Sequence, residues 1–200
     1  MPFIAPIVEG HGEVDALPAL LHRIARAVAP TSAPALRVNQ PIRVKSGSFF
    51  NDPVFFRRHV LLAATKAAQE AGSVLILLDC DDACPAETGP TLLQRAVSER
   101  GDVPIFVALA HREFETWFLA AARSLQNVAG LPANFDTPPY FQTIRNAKGW
   151  LGERMPSGYD PLRHQLPLAR RIDLQQARSA ASFDRLYRYV ARLLMSPTIP

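Results

Sequence analysis

Five aliphatic residues in a row, Val74 to Leu78, run straight into Asp79-Cys80-Asp81-Asp82. An unbroken apolar run reads as a strand covered on both faces, as in the middle of a parallel sheet. Phe3 to Val8 and Val103 to Ala110 have the same texture. Pro6 interrupts the first, so either its paired part begins near Ile7 or the strand lies locally at an edge. Leu36 to Val44 alternates loosely around Pro41 and predicts a further strand. Val14, Leu17, Leu21, Ile24 and Val28 recur at helical steps. Pro53 to Ala71 predicts a second helix, with Phe56, Val60, Ala63, Ala64 and Ala67 inward. A loop through Pro85 and Gly89 leads to a short helix, Thr91 to Arg100. Phe114, Trp117, Phe118, Ala121 and Leu125 mark one more helix, opened by His111-Arg112-Glu113-Phe114-Glu115. From Gly130 onward, Pro132, Pro138, Pro139, Pro156, Pro161 and Pro167 break the chain, and no further strand is expected. Ser182 then reads as the cap of an amphipathic last helix over Phe183, Leu186, Tyr187, Val190 and Leu194.

This order predicts an α/β fold with a mainly parallel four-stranded sheet flanked by helices over residues 1–128. A proline-rich, mostly helical extension over 129–200 is expected to pack on it as one compact unit. Two hundred residues are enough for such a core. The chain is 48% apolar and 20% charged, which is a globular rather than a disordered composition. A net charge of +4 suggests tolerance of polyanions and nothing stronger. The two cysteines, Cys80 and Cys84, form no disulfide framework, fit a reducing compartment, and as C-x3-C make a poor zinc signal. No segment is long and apolar enough for a membrane span. The start of the chain lacks a basic segment and meets Glu9 early, so a cytoplasmic location is expected.

The acids sit where strands end. Asp79, Asp81 and Asp82 follow the central strand; Glu9 and Glu13 follow the first, around Gly10 and Gly12; Glu113 and Glu115 follow the last. In open α/β sheets the carboxyl edge of the strands is where ligands bind. At extended geometry Asp79 and Asp81 project to one side, about 7 Å apart, a separation at which two carboxylates share a hard cation. Clustered carboxylates repel, and one keeps a proton unless something positive sits among them. Mg²⁺ or Mn²⁺, bound through a few carboxylates and waters, is the natural partner. Plainer accounts stand beside this one: a polar exit from a strand for the aspartates, and first-turn acids complementing a helix dipole for Glu13, Glu113 and Glu115. His111 is a turn histidine before it is a proton shuttle. The glycine turn is not G-x-G-x-x-G and no Gly-Lys-Ser follows, so neither a dinucleotide nor a P-loop site is expected. Lys45, beside Ser46-Gly47-Ser48, can hold a phosphate, although a solvated loop is the simpler account. Lys148, Arg170 and Arg171, with Arg185, Arg188 and Arg192, can form a basic surface, against the default of a solvated helix face.

Glu9-Gly10-x-x-Glu13 after the first strand and Asp79-x-Asp81 after the third resemble the Toprim domain, the acidic module of topoisomerases, primases and the overcoming-lysogenization-defect nucleases. Over nearly its full length the chain looks like a bacterial family of unknown function with a Toprim-like fold. The marks are those residues, Leu78 to Asp82, Glu115-Thr116-Trp117-Phe118-Leu119-Ala120, and a C-terminal part with Lys148, Tyr159, Gln165, Leu168-Ala169, Ile172-Asp173 and Ser182-Phe183. Ala121 stands where such proteins often carry an acid. The resemblance implies Mg²⁺- or Mn²⁺-dependent phosphodiester hydrolysis on nucleic acid, with DNA ahead of RNA. It places the metal on Asp79 and Asp81, makes Glu9 the general acid/base or a further ligand, and lets Glu13, Asp82 and Glu115 complete a second metal site. Lys45, Lys148, Arg170 and Arg171 are the matching candidates for contact with nucleic acid. A partner ATPase is a further implication. The main alternative is a non-catalytic subunit that binds nucleic acid or such an ATPase. A haloacid-dehalogenase-like phosphatase fits less well: there the D-x-D pair follows the first strand, and Ala83 stands here where a Thr or Val belongs.

Overall fold

The chain alternates strands and helices: β1 (Phe3–Val8), α1 (Glu13–Val28), β2 (Arg37–Val38), β3 (Ile42–Arg43), α2 (Ser46–Asn51), α3 (Pro53–Gln69), β4 (Ser73–Asp79), α4 (Pro85–Glu99), β5 (Ile105–Ala110) and α5 (Thr116–Ala120). Short helices complete it: α6 (Ala147–Gly152), α7 (Pro161–Arg171), α8 (Leu174–Ala177) and the longer α9 (Ala181–Met195). This computed structural model describes residues 1–30, 36–81 and 84–195. The described strands form one parallel sheet in the order β2-β1-β4-β5, with β3 also beside β1.

Pro6 lies inside a strand paired on both sides, opposite Leu75 of β4. Ile4 and Val8 accept hydrogen bonds from Asn39 and Val44, so the even-numbered positions of β1 face β2 and β3. Pro6 faces the same way, into the gap between those two short strands. The partner strand is interrupted where the proline has no N–H to offer. The expected strand Leu36–Val44 is therefore two short pieces on either side of Pro41.

The apolar run of β4 splits by parity. Val74, Ile76 and Leu78 pack with Phe49, α3 and α4 on one face. Leu75 and Leu77 pack on the other face with α1, α5, α7, α8 and α9. Both faces are thus covered, as the unbroken run requires. The C-terminal helices share one core with α1 and the sheet: Phe183, Leu186 and Val190 of α9 and Leu168 of α7 are fully buried within it.

Further elements differ from expectation. The helix expected over Phe114 to Leu125 is the short α5 followed by a 3-10 turn, Ala122–Leu125. Ser46 to Asn51, read as loop, is helical. The helix α4 begins at Pro85 rather than Thr91, because proline at a first helical position loses no hydrogen bond. Ser182 does not cap α9; it lies within the helix, and its hydroxyl oxygen accepts the Trp117 indole N–H (2.9 Å) and the His111 N–H (3.3 Å).

Candidate functional site: a carboxylate cluster closed on a lysine

The strands β4 and β5 end side by side, with Asp79 opposite Ala110. Both then leave the sheet through left-handed residues, Asp81 (φ 40°) and Arg112 (φ 64°). The Asp81 N–H donates to the Arg112 carbonyl at 3.0 Å, tying the two turns together. The extended geometry expected from Asp79 to Asp81 therefore stops at Asp79. Asp79 turns inward, its side chain 11% exposed, whereas Asp81 is exposed. Asp82 lies outside the described residues.

The Lys148 ammonium, from the second residue of α6, lies 3.1 Å from Asp79 Oδ2, 3.2 Å from Glu113 Oε1 and 3.1 Å from Glu115 Oε2. The first two contacts are hydrogen bonds. Glu115 Oε2 has no hydrogen-bond partner, so its contact with the ammonium is an ion pair without a shared proton. The other oxygens are held by the scaffold. Asp79 Oδ1 accepts the Phe114 N–H (2.8 Å), and Glu113 Oε2 accepts the Lys148 N–H (3.0 Å). Glu115 is fully buried, and its Oε1 accepts the Tyr159 hydroxyl (2.9 Å) and the Gln165 amide (2.8 Å).

A second group of acids comes from the end of β1. Glu13, in the first turn of α1, is 2% exposed. Its Oε2 accepts the N–H groups of Glu9 and Gly10, both at 3.2 Å. Ser46, at the start of α2, donates its hydroxyl to Glu9 Oε1 (2.5 Å), while Glu9 Oε2 is buried with no hydrogen-bond partner. Gly12 lets α7 approach α1 here: a Cβ on it would stand 2.5 Å from the Pro161 carbonyl.

Burial and mutual repulsion set the protonation of these groups. Glu13 is pushed up from the ordinary carboxylate range to about 7, first by burial and then by the charge of Glu115, against hydrogen bonds from the Gly10 and Glu9 backbone. Asp79 is raised well above its ordinary value by burial, with Glu13 and Glu115 adding to the rise and Lys148 opposing it. Lys148 is held charged: burial lowers its pKa, but Glu115, Asp79 and Glu113 together raise it above the ordinary lysine value. Burial and the neighbouring carboxylates raise Tyr159, so it remains a hydroxyl donor.

Of the expected site residues, the structure joins Asp79, Glu13 and Glu115 in one electrostatic cluster and sets Glu9 beside it. Lys148, expected on a basic surface, turns inward because three carboxylates attract it. Lys45 is exposed and immediately precedes Ser46, the partner of Glu9. Arg170 and Arg171 are exposed at the far end of α7, where Ala169 meets Arg23. Arg23 lies ten residues along α1 from Glu13, about 15 Å of helix, so these two arginines stand away from the cluster. Glu113, expected at this sheet edge but not among the ligands, joins the network, as do Gln165, Tyr159 and Ser46, which were not expected in the site. One signal for Gln165 was available: it shares the buried stripe of α7 with Leu168 and Ala169, where a polar residue needs a partner.

A family model described as a domain of unknown function (DUF4276) matches residues 8–191. The chain belongs to this family. The match takes in every member of the cluster, from Glu9 to Gln165, and extends through most of α9. No curated protein and no solved structure matches the chain.

The donor set is one of hard oxygens, suited to Mg²⁺ or Mn²⁺ in chemistry. Yet among the described residues no three His, Cys, Asp or Glu side chains are arranged to hold a metal ion. The oxygens of Asp79, Glu113 and Glu115 converge on the ammonium instead. Lys148 can neutralise one of these carboxylates, and Glu9 Oε2 remains a buried acceptor with no hydrogen-bond partner. The residues fit a hard cation by type and by charge, and loading one requires the ammonium to yield at least one carboxylate.

Proposed function

We propose that the chain is a Mg²⁺- or Mn²⁺-dependent phosphodiesterase acting on nucleic acid, DNA first and RNA second, on a Toprim-like fold. One observation carries the reading: Asp79, Glu113 and Glu115 gather at the carboxyl edge of a parallel sheet around Lys148, with Glu13 electrostatically coupled to them and with Glu13 and Asp79 raised in pKa. Asp79, Glu13 and Glu115 would hold the cation, with Glu113 beside them. The cation would supply Lewis-acid stabilisation of phosphoryl oxygens. Glu9, oriented by Ser46, has a free buried oxygen with which to accept a proton. Lys148, released from one carboxylate, offers its ammonium to phosphoryl charge. Lys45 stands at the Glu9 side of the same edge, where it can meet a backbone phosphate.

A second reading has its own support. Lys148 bridges three carboxylates, and Tyr159 and Gln165 close on Glu115. A network so well partnered suits a structural clasp in a non-catalytic subunit that binds nucleic acid or an ATPase.

Nicking of supercoiled plasmid in Mg²⁺ and Mn²⁺, wild type beside Asp79→Ala, separates the two. The nuclease reading expects cleavage by the wild type and a loss of about a hundredfold or more in the variant. Equal cleavage by both contradicts the site. Silence from both, with nucleic acid still bound, favours the subunit.

A further inference from the structure

An apolar pocket of about 270 Å³ opens beside β5, between the start of α4 and the start of α9. Val107 and Leu109 form its floor, and Gly89 and Pro85 form one wall. Its polar groups are few. Thr116 lines it, is 1% exposed, and has a hydroxyl with no hydrogen-bond partner. His111 lines it with Nδ1 likewise unpartnered. Ser182 accepts two N–H groups on its oxygen, which leaves its own hydrogen to donate. The exposed Arg185 stands at the rim and, among the described residues, is the one lining residue with a full permanent charge. An apolar cavity with a few convergent polar groups is the usual form of a small-ligand site, and this volume falls just below the ~300–1,000 Å³ common for larger ligands.

The pocket's position indicates its occupant. Thr116 directly follows Glu115, so their Cα atoms are about 3.8 Å apart. Cys84 and Pro85, which also line it, come five and six residues after Asp79. The segments that follow β4 and β5, which lie next to Asp79, Glu113 and Glu115, therefore both line the pocket. We propose that this pocket binds one nucleotide, with the base on the apolar floor against Thr116, His111 and Ser182 and the phosphate toward Arg185. The inference rests on the phosphodiesterase reading for the choice of ligand: it places the nucleotide next to the scissile bond. Apolar walls with a few hydrogen bonds are how enzymes that take a base out of its stack hold it.

Gly89 supplies a test that leaves the cluster alone. A Cβ there meets only Leu109 Cδ1, at 4.0 Å, so Gly89→Leu fills the pocket without a backbone clash. Pro90 follows, but Leu17-Pro18 and Leu166-Pro167 show that this chain carries leucine before proline inside α1 and α7. Ala181→Phe, at an exposed first-turn position of α9, blocks the pocket from its other wall. Calorimetric titration with deoxyadenosine monophosphate, in EDTA so that no cation bridges the phosphate, reads the pocket directly. The wild type should bind saturably, both blocking variants should bind at least tenfold more weakly with unchanged circular dichroism, and inorganic phosphate alone should bind far more weakly. Absence of wild-type binding, unchanged affinity in the folded blocking variants, or phosphate binding as tightly as the nucleotide would each overturn the proposal. Plasmid cleavage without nucleotide binding removes the pocket and keeps the phosphodiesterase. Nucleotide binding without cleavage keeps the pocket and counts against the phosphodiesterase.

Discussion

An ammonium within 3.2 Å of three carboxylates stabilises them only as long as it is present. Lys148→Met leaves Asp79, Glu113 and Glu115 facing one another with no counter-charge from this position. Breaking a fully buried pair costs ~3–5 kcal/mol. The Lys148 side chain is 35% exposed, so about 2 kcal/mol is the expected loss at pH 8. Urea denaturation at pH 8 and pH 5 should show a smaller loss at pH 5, where protonation relieves the repulsion; an equal loss at both would mean that Lys148 acts by packing alone. Glu13 gives a second handle. Its folded pKa, about 7, lies above the ordinary 4.5, so the folded state binds the proton more tightly than the unfolded state. The stability contributed by that proton is complete below about pH 4.5 and is lost as pH rises through about 7, a change of order 3 kcal/mol in metal-free buffer. Glu13→Gln should flatten this part of the stability profile. A profile equally steep in the variant would place the titration elsewhere.

At the scale of elements, the site depends on how closely α7 approaches the turn before α1. Gln165 reaches Glu115 from α7, and Pro161 crowds Gly12 at the same point. Gly12→Ala should push α7 outward and cost about 1–3 kcal/mol, seen as a melting temperature lower by roughly 2–4 °C for each kcal/mol. An unchanged melting temperature would show that the two elements slide apart freely. The elements themselves were largely legible in the sequence. The bounds of β1 agree with the reading, and those of α3 and β4 nearly so, because continuous or periodic apolar residues mark a covered strand or a packed face directly. The short α2 and the early start of α4 carry no such periodic stripe. The acids at the strand ends were legible for the same topological reason that puts ligands at that edge. Their counter-ion was not. Lys148 and Asp79 are 69 residues apart, and only tertiary packing brings α6 onto the ends of β4 and β5. Asp81 was misplaced by a backbone feature, the left-handed turn, which an Asp permits but does not announce.

The whole molecule is assembled around that edge. One core joins β1, β4, β5 and α1 to α7, α8 and α9, and the carboxylate cluster is the polar seam where the sheet and the C-terminal helices meet. A cation bound there would touch both halves of the chain at once, and its binding free energy would add to the stability of the folded state. The central claim is that this seam holds a hard divalent cation. Calorimetric titration of Mn²⁺ at pH 7.5 into the wild type and Asp79→Asn tests it most directly. The account predicts saturable binding to the wild type and an affinity at least tenfold lower in Asp79→Asn. It also predicts that the variant, relieved of a buried charge whose pKa is raised, melts no lower than the wild type without metal. No saturable binding to the wild type, or equal binding to both proteins, would contradict it and leave the cluster as a clasp closed by Lys148.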